Sequence, residues 1–209
     1  MSWKHCLADQ SRRPTGMLGR LLMGLYLDRA NAGINQLVYD TLAPGPQDQV
    51  LELGFGGADL LLRIAASLET GRIDGVDLSH EMVERAGKRA RKLGLTQVTG
   101  FHQGSIENLP FDDASFDCAC SVHTIYFWPD LDRGLAELAR VIKSGGRLVL
   151  GFSAESVLRE DGWVERGFSA YSNQRIADAY RVHGFTPGQL TSIERKPRGT
   201  SYAYCAVRS

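Results

Sequence analysis

Glu52, Gly54, Gly56, Gly57 and Asp59 fall in one stretch, VLELGFGGADLL, which runs from Val50 to Leu61. Glycines spaced this closely after an apolar run let a backbone turn sharply and approach a ligand. Asp77 follows about 20 residues beyond them, the spacing at which an acid accepts hydrogen bonds from ribose hydroxyls. Its two oxygens can take two hydroxyls in a fork, which disfavours a 2′-phosphate. The chemistry implied is recognition of a nucleoside. A dinucleotide fingerprint reads G-x-G-x-x-G and seats a pyrophosphate on a helix N-terminus. Here Ala58, Asp59 and Leu60 follow Gly57, and the third glycine of that fingerprint is missing. Glu52 and Asp59 also bracket the loop with negative charge, which is unhelpful beside a pyrophosphate and suits a cationic ligand.

The elements that must position these residues follow from periodicity. QVLEL, RIDGVDL, QVTGFHQ, SFDCACSV and RLVLGF read as strands, alternating with helical stripes such as Leu61, Ile64, Ala65 and Leu68, or Met82, Val83, Ala86 and Ala90. Ser79 and Asp130 are placed to cap helices, Gly94 ends one, and KSGG turns the chain into the fifth strand. QLTSIE and SYAYCAVR, separated by RKPRGT, form a terminal hairpin. Strands alternating with helices predict an α/β fold with helices on both faces. Its sheet is Rossmann-like and mostly parallel, with seven strands and an antiparallel strand from the C-terminal hairpin. The first strand then ends at Leu53 and the second at Asp77, so both motifs fall on the rim where such sheets bind ligands.

The totals narrow the partners. The 209 residues suit one domain, 1–209, with residues 1–44 as an N-terminal helical lid and 153–172 as a second cap segment. The 24 basic and 24 acidic side chains give no net field to attract nucleic acid or an anionic membrane. GKRARK and RKPR read as solvated helix and turn faces. MLGRLLMGLYL, interrupted by Arg20, is far shorter than the ~20 residues of a membrane span, and no signal-peptide pattern is visible. Cys6, Cys118, Cys120 and Cys205 show no C-x-x-C pairing. Cys118 and Cys120 are two apart and share a strand face, so packing is expected, with no metal and with a reducing cytoplasm as the location.

VLELGFGGADLLLRIA, GVDLSHEMVERA, GSIENLPFDDASFDCACSVHTIYFWPD and LARVIKSGGRLVL together resemble the successive motifs of the class I S-adenosylmethionine-dependent methyltransferases. The branch most similar is the one holding ubiquinone/menaquinone-type and small-molecule enzymes. The resemblance runs from about Gln49 to Phe152 and implies S-adenosyl-L-methionine as cofactor. By that similarity Gly54, Phe55 and Gly56 carry the backbone under the aminocarboxypropyl arm, and Glu52 orients the loop and balances the ammonium. Asp77 and Leu78 border the ribose, and Met82 lies against the adenine. Gly104, Ser105 and Ile106 border the adenine edge, with Ser105 standing where relatives often carry an acid. Ser121 sits near the methionine portion.

The resemblance also implies an acceptor side. His123 and Tyr126 follow the fourth strand on the loop facing the methyl group, so they are the catalytic candidates. His123 is a general base on this reading, and packing of a loop histidine is the competing one. Trp128, Tyr171 and the N-terminal Tyr26 are expected to line the acceptor pocket, although a core position on a Leu-rich stripe competes for Tyr26. The apolar content of residues 17–27 and 153–172 favours a small, partly apolar acceptor, taken by a monomer or homodimer. An NAD-dependent oxidoreductase would share the glycine loop and Asp77. A non-catalytic S-adenosylmethionine-binding protein would share every motif.

Overall fold

The computed structural model describes residues 31–195 and 199–209. Helix α1 spans 31–42, followed by β1 (Gln49–Leu53), α2 (Asp59–Ser67), β2 (Arg72–Asp77), α3 (His80–Leu93) and β3 (Val98–Gln103). Next come β4 (Phe116–Val122), a 3-10 turn (Ile125–Phe127), α4 (Leu131–Val141), β5 (Ile142–Ser153) and α5 (Glu155–Glu160). A second 3-10 turn (Val164–Arg166), α6 (Asn173–Val182), β6 (Phe185–Arg195) and β7 (Gly199–Arg208) complete the chain.

The seven strands form one sheet in the order β3-β2-β1-β4-β5-β7-β6. The first five run parallel, and β7 inserts antiparallel between β5 and β6. The expected architecture is therefore the observed one. In β1, Val50 to Leu53 are all buried, as a strand covered on both faces requires. One face is covered by Ile34, Val38 and Leu42 of α1 with the apolar stripes of α2 and α3. Leu131, Leu135 and Leu138 of α4 and Ile176 and Tyr180 of α6 cover the other. Cys118 and Cys120 are fully buried together on the α1–α3 face.

Local signals set the helix ends. Asp130 accepts from the N–H groups of Asp132 (2.8 Å) and Arg133 (3.2 Å), and Gly94 ends α3 at φ 67°. The expected turn at KSGG lies inside β5 instead. Phe116 pairs with Ile142 and Cys118 with Arg147, so the extra residues bulge out of register. A Cβ on Gly146 would meet Asp117 O at 2.8 Å, which is why this bulge is built from glycines. Strand β6 also begins earlier than expected, at Phe185, with a register shift between Pro187 and Leu190.

Of the 1–44 segment, the described part α1 lies flat on the sheet. Val38 and Ile34 approach so closely that a Cβ on Gly151 would sit 2.6 Å and 3.4 Å from their side chains. Tyr26 and the rest of residues 1–30 lie outside the described residues. Segment 153–172 contains α5 and the second 3-10 turn. No helix among the described residues is long and apolar enough to cross a membrane.

Candidate active site at the sheet switch point

The chain lays down β1, β2 and β3 in one direction across the sheet and β4 onward in the other, opening a crevice between the carboxyl ends of β1 and β4. Gly54 leaves β1 at φ 64°, and Gly56 follows at φ 48°, left-handed conformations that glycine adopts without a Cβ penalty. Gly54 N–H donates to Val76 O (2.6 Å), tying the loop to β2. Phe55 turns its ring inward, edge-on to Phe101 at 5.4 Å, so its backbone rather than its ring faces the crevice.

Asp77 is the node of the rim. Its carboxylate accepts from Gly56 N–H and Ser79 N–H, both at 2.9 Å, and its carbonyl accepts from Gly104 N–H at 3.0 Å. Burial pushes the Asp77 pKa up, and the two backbone donors pull against that shift. A carboxylate offers about four acceptor sites, so one lone pair on each oxygen stays available for a ligand. Glu52, 3% exposed, lies on the α1–α3 face of β1, and its charge adds to burial in raising the Cys120 thiol pKa.

Asp59 has a different setting from the one its sequence position implies. Arg89 of α3 reaches it at 2.5 Å and also donates to Gly57 O, so the charge of Asp59 is compensated within the fold. Of the two acids expected to bracket the loop with negative charge, Asp59 is thus held in an ion pair with Arg89.

Met82 and Ile106 are buried beside the rim, whereas Leu78 is 61% exposed. Ser105 accepts from Glu107 N–H at 3.4 Å, and Glu107 faces Arg133 at 3.8 Å, turned to that cation. Across the crevice, Ser121 is buried and donates to Leu53 O at 3.0 Å. His123 holds the left-handed conformation at φ 56°, uncommon for a non-glycine residue, and its N–H donates to Gly151 O at 2.8 Å. His123 Nδ1 lies 3.0 Å from Tyr126 Oη, which also accepts from Ser153 N–H.

Segment 153–172 packs on this loop. Phe168 stands 6.0 Å from the Tyr126 ring and 4.6 Å from that of Phe127, and Ser169 N–H donates to Tyr126 O at 3.1 Å. Tyr171 is half-buried against the same cluster. Trp128 is 6% exposed and donates to Thr124 Oγ1 at 3.1 Å, which makes it a support of the loop more than an open pocket wall. Thr124 was not among the candidates, and Arg89 falls in GKRARK, read as a solvated helix face, whereas its side chain is only about a third exposed and is paired with Asp59 and Gly57 O. The only trace of either is their presence in motifs whose partners lie far away along the chain.

A glycine loop and an acid on adjacent strand ends, facing a polar and aromatic loop across a switch point, define a nucleoside-binding α/β protein. A family model described as a methyltransferase domain matches residues 51–150. The chain is 37% identical over 164 residues to a 37.1 kDa protein of transposon TN4556 from Streptomyces fradiae, covering 76% of this chain and 44% of that one. It is 30% identical over 168 residues to the ubiquinone/menaquinone biosynthesis C-methyltransferase UbiE of Bartonella tribocorum, covering 75% of this chain and 61% of that one. The chain thus spans about half the length of these relatives. In fold it is similar to geranyl diphosphate C-methyltransferase of Streptomyces coelicolor bound to S-adenosyl-L-homocysteine, with a TM-score of 0.73, 17% identity, and coverage of 87% and 78%. The chain belongs to the S-adenosylmethionine-dependent methyltransferases.

Proposed function

We propose that this protein transfers a methyl group from S-adenosylmethionine to a small, partly apolar acceptor. The observation that carries the reading is the switch point. Gly54, Gly56 and Asp77 stand at the carboxyl ends of β1 and β2, and the loop after β4 that carries His123 and Tyr126 packs beside them, with Thr124 against Gly54. The residues fit the cofactor: a left-handed glycine backbone for the aminocarboxypropyl arm, Asp77 lone pairs for the ribose, and buried Met82 and Ile106 for the adenine. S-adenosylmethionine supplies a methyl group on a positive sulfur, displaced in line with a neutral thioether as leaving group.

The protein's task is then orientation and exclusion of water, and orientation alone contributes about 7–11 kcal/mol. Glu52 carries the compensating negative charge on β1. The aromatic cap of Phe127, Phe168 and Tyr171 shields the acceptor from water and favours apolar surface. When the nucleophile carries a proton, His123 takes it through Nε2, because Nδ1 is engaged by Tyr126. Relatives named as acting on quinone-type and isoprenoid acceptors support a small-molecule substrate over a polymer.

The test is turnover of methyl-labelled S-adenosylmethionine with a panel of phenols, quinols, amines, thiols and isoprenoids beside RNA and protein. Label is expected in small acceptors, and transfer confined to the polymers would overturn the proposal.

A further inference from the structure

We propose that Thr124 is a positioning residue that sets the cofactor loop against the acceptor loop, through Gly54 and through a one-way hydrogen-bond chain. The proposal rests on the reading that the Gly54 loop cradles S-adenosylmethionine. Two separate observations meet at this side chain. The first is steric. A Cβ on Gly54 would lie 2.3 Å from Thr124 Cγ2 and 3.2 Å from Thr124 Cβ, so the threonine methyl fills the space above the glycine. Gly54 therefore answers two demands, a left-handed φ of 64° and close approach by Thr124. Gly56 at φ 48° has nothing within 4 Å of a built Cβ and answers only the first.

The second observation is polar. Ser121 Oγ donates to Leu53 O at 3.0 Å, and a carbonyl can only accept, so this bond uses the one hydroxyl proton of Ser121. In the short contact between Ser121 Oγ and Thr124 Oγ1, Thr124 must then be the donor. That uses the threonine proton, and the indole N–H of Trp128 completes the series by donating to Thr124 Oγ1 at 3.1 Å. Every donor in the series is satisfied in one direction only, from Trp128 through Thr124 and Ser121 to Leu53 O.

Leu53 O belongs to the peptide whose N–H is that of Gly54, and this N–H donates to Val76 O at 2.6 Å. The peptide that opens the glycine loop is thus fixed at its carbonyl end by Ser121 of β4, which Thr124 of the following loop backs, and at its amide end by β2. Trp128 is itself held in the core, since a Cβ on Gly134 would meet its ring at 2.8 Å. A displacement of the acceptor-side loop is passed to the donor-side loop through Thr124.

Thr124→Val and Thr124→Ser separate the two functions, because valine keeps the methyl group and removes the hydroxyl, and serine does the reverse. The readouts are calorimetric affinity for S-adenosylhomocysteine and the melting temperature of each variant. Thr124→Val should bind about fivefold or more weakly, the equivalent of one net hydrogen bond, and Thr124→Ser should stay nearer the wild type. The second arm compares Gly54→Ala with Gly54→Ala/Thr124→Ser. The double variant removes the atom that the new Cβ strikes, so it should bind several-fold tighter than Gly54→Ala alone.

Thr124→Val folding and binding like the wild type would overturn the polar half. A double variant no better than Gly54→Ala would overturn the steric half. Wild-type protein that fails to bind S-adenosylhomocysteine would instead remove the cofactor reading on which both halves stand.

Discussion

Asp77→Asn changes one atom's chemistry at the rim and leaves its shape intact. In the wild type, each carboxylate oxygen accepts one backbone N–H, from Gly56 and from Ser79. Two of about four acceptor sites remain, one for each ribose hydroxyl. Asparagine keeps a single acceptor oxygen, which can serve one backbone donor and one hydroxyl, while its NH2 faces the other donor. Binding therefore loses one charge-assisted hydrogen bond, ~1.5–3 kcal/mol, or roughly 10–150-fold in affinity for S-adenosylhomocysteine.

The apo protein should suffer less than this loss suggests. Burial has raised the Asp77 pKa, so the folded state holds the proton more tightly than the unfolded chain. The stability contribution of that group is present at low pH and is lost as pH rises through the raised folded pKa. At neutral pH the charged form is penalised, and a neutral amide relieves the penalty. As pH falls toward the raised pKa, wild-type Asp77 gains a proton and loses acceptor capacity. The wild-type affinity should fall with it, and the gap between wild type and Asp77→Asn should narrow. Calorimetry at several pH values, with thermal melts to establish folding, measures both effects. A folded Asp77→Asn that binds as tightly as wild type at neutral pH would refute the ribose assignment.

Arg89→Met should weaken S-adenosylhomocysteine binding by a few-fold and loosen the glycine loop, read as faster amide exchange at Gly57–Asp59. Its stability cost should be small, about 0.2–1 kcal/mol for a partly exposed ion pair, because both side chains are about a third exposed. Glu137 has its pKa lowered by hydrogen bonds from Arg140, opposed by burial and reinforced by Leu109 N–H. A lowered folded pKa gives stability that is present above the unfolded value and is lost as pH falls through the folded one. Glu137→Gln should cost ~1.5–3 kcal/mol near neutral pH in denaturant titrations, with the difference shrinking in acid. His123→Ala should slow methyl transfer by about 10²–10⁴-fold for an acceptor that must lose a proton, and far less for one that need not, in single-turnover assays.

What could be read from sequence was local or periodic. Asp130 and Ser79 cap helices from fixed offsets, Gly94 ends α3, and the alternation of strand and helix stripes implied the parallel sheet. Gly54 and Asp77 were legible because both lie at strand ends that any such sheet brings to one rim. The contacts that escaped depend on which loops the sheet order places side by side. Asp59 read as a negative charge bracketing the loop, and its partner Arg89 lies a whole β-strand and helix away, joined to it only by the packing of α3 beside the glycine loop. Gly54 looked like a ligand glycine, and the demand made on it by Thr124 becomes visible only when β4 docks against β1. Trp128 read as a pocket aromatic by its position after β4, and burial beneath Gly134 gives it another role. KSGG read as a turn before the fifth strand, and pairing of Ile142 with Phe116 takes it into β5 as a bulge.

The identity of the ligand in the crevice decides whether this reading stands. Calorimetric titration of the protein with S-adenosylhomocysteine and, separately, with NAD should give saturable one-to-one binding of the first and no heat from the second. Saturable binding of NAD, or no binding of S-adenosylhomocysteine by folded protein, would contradict it.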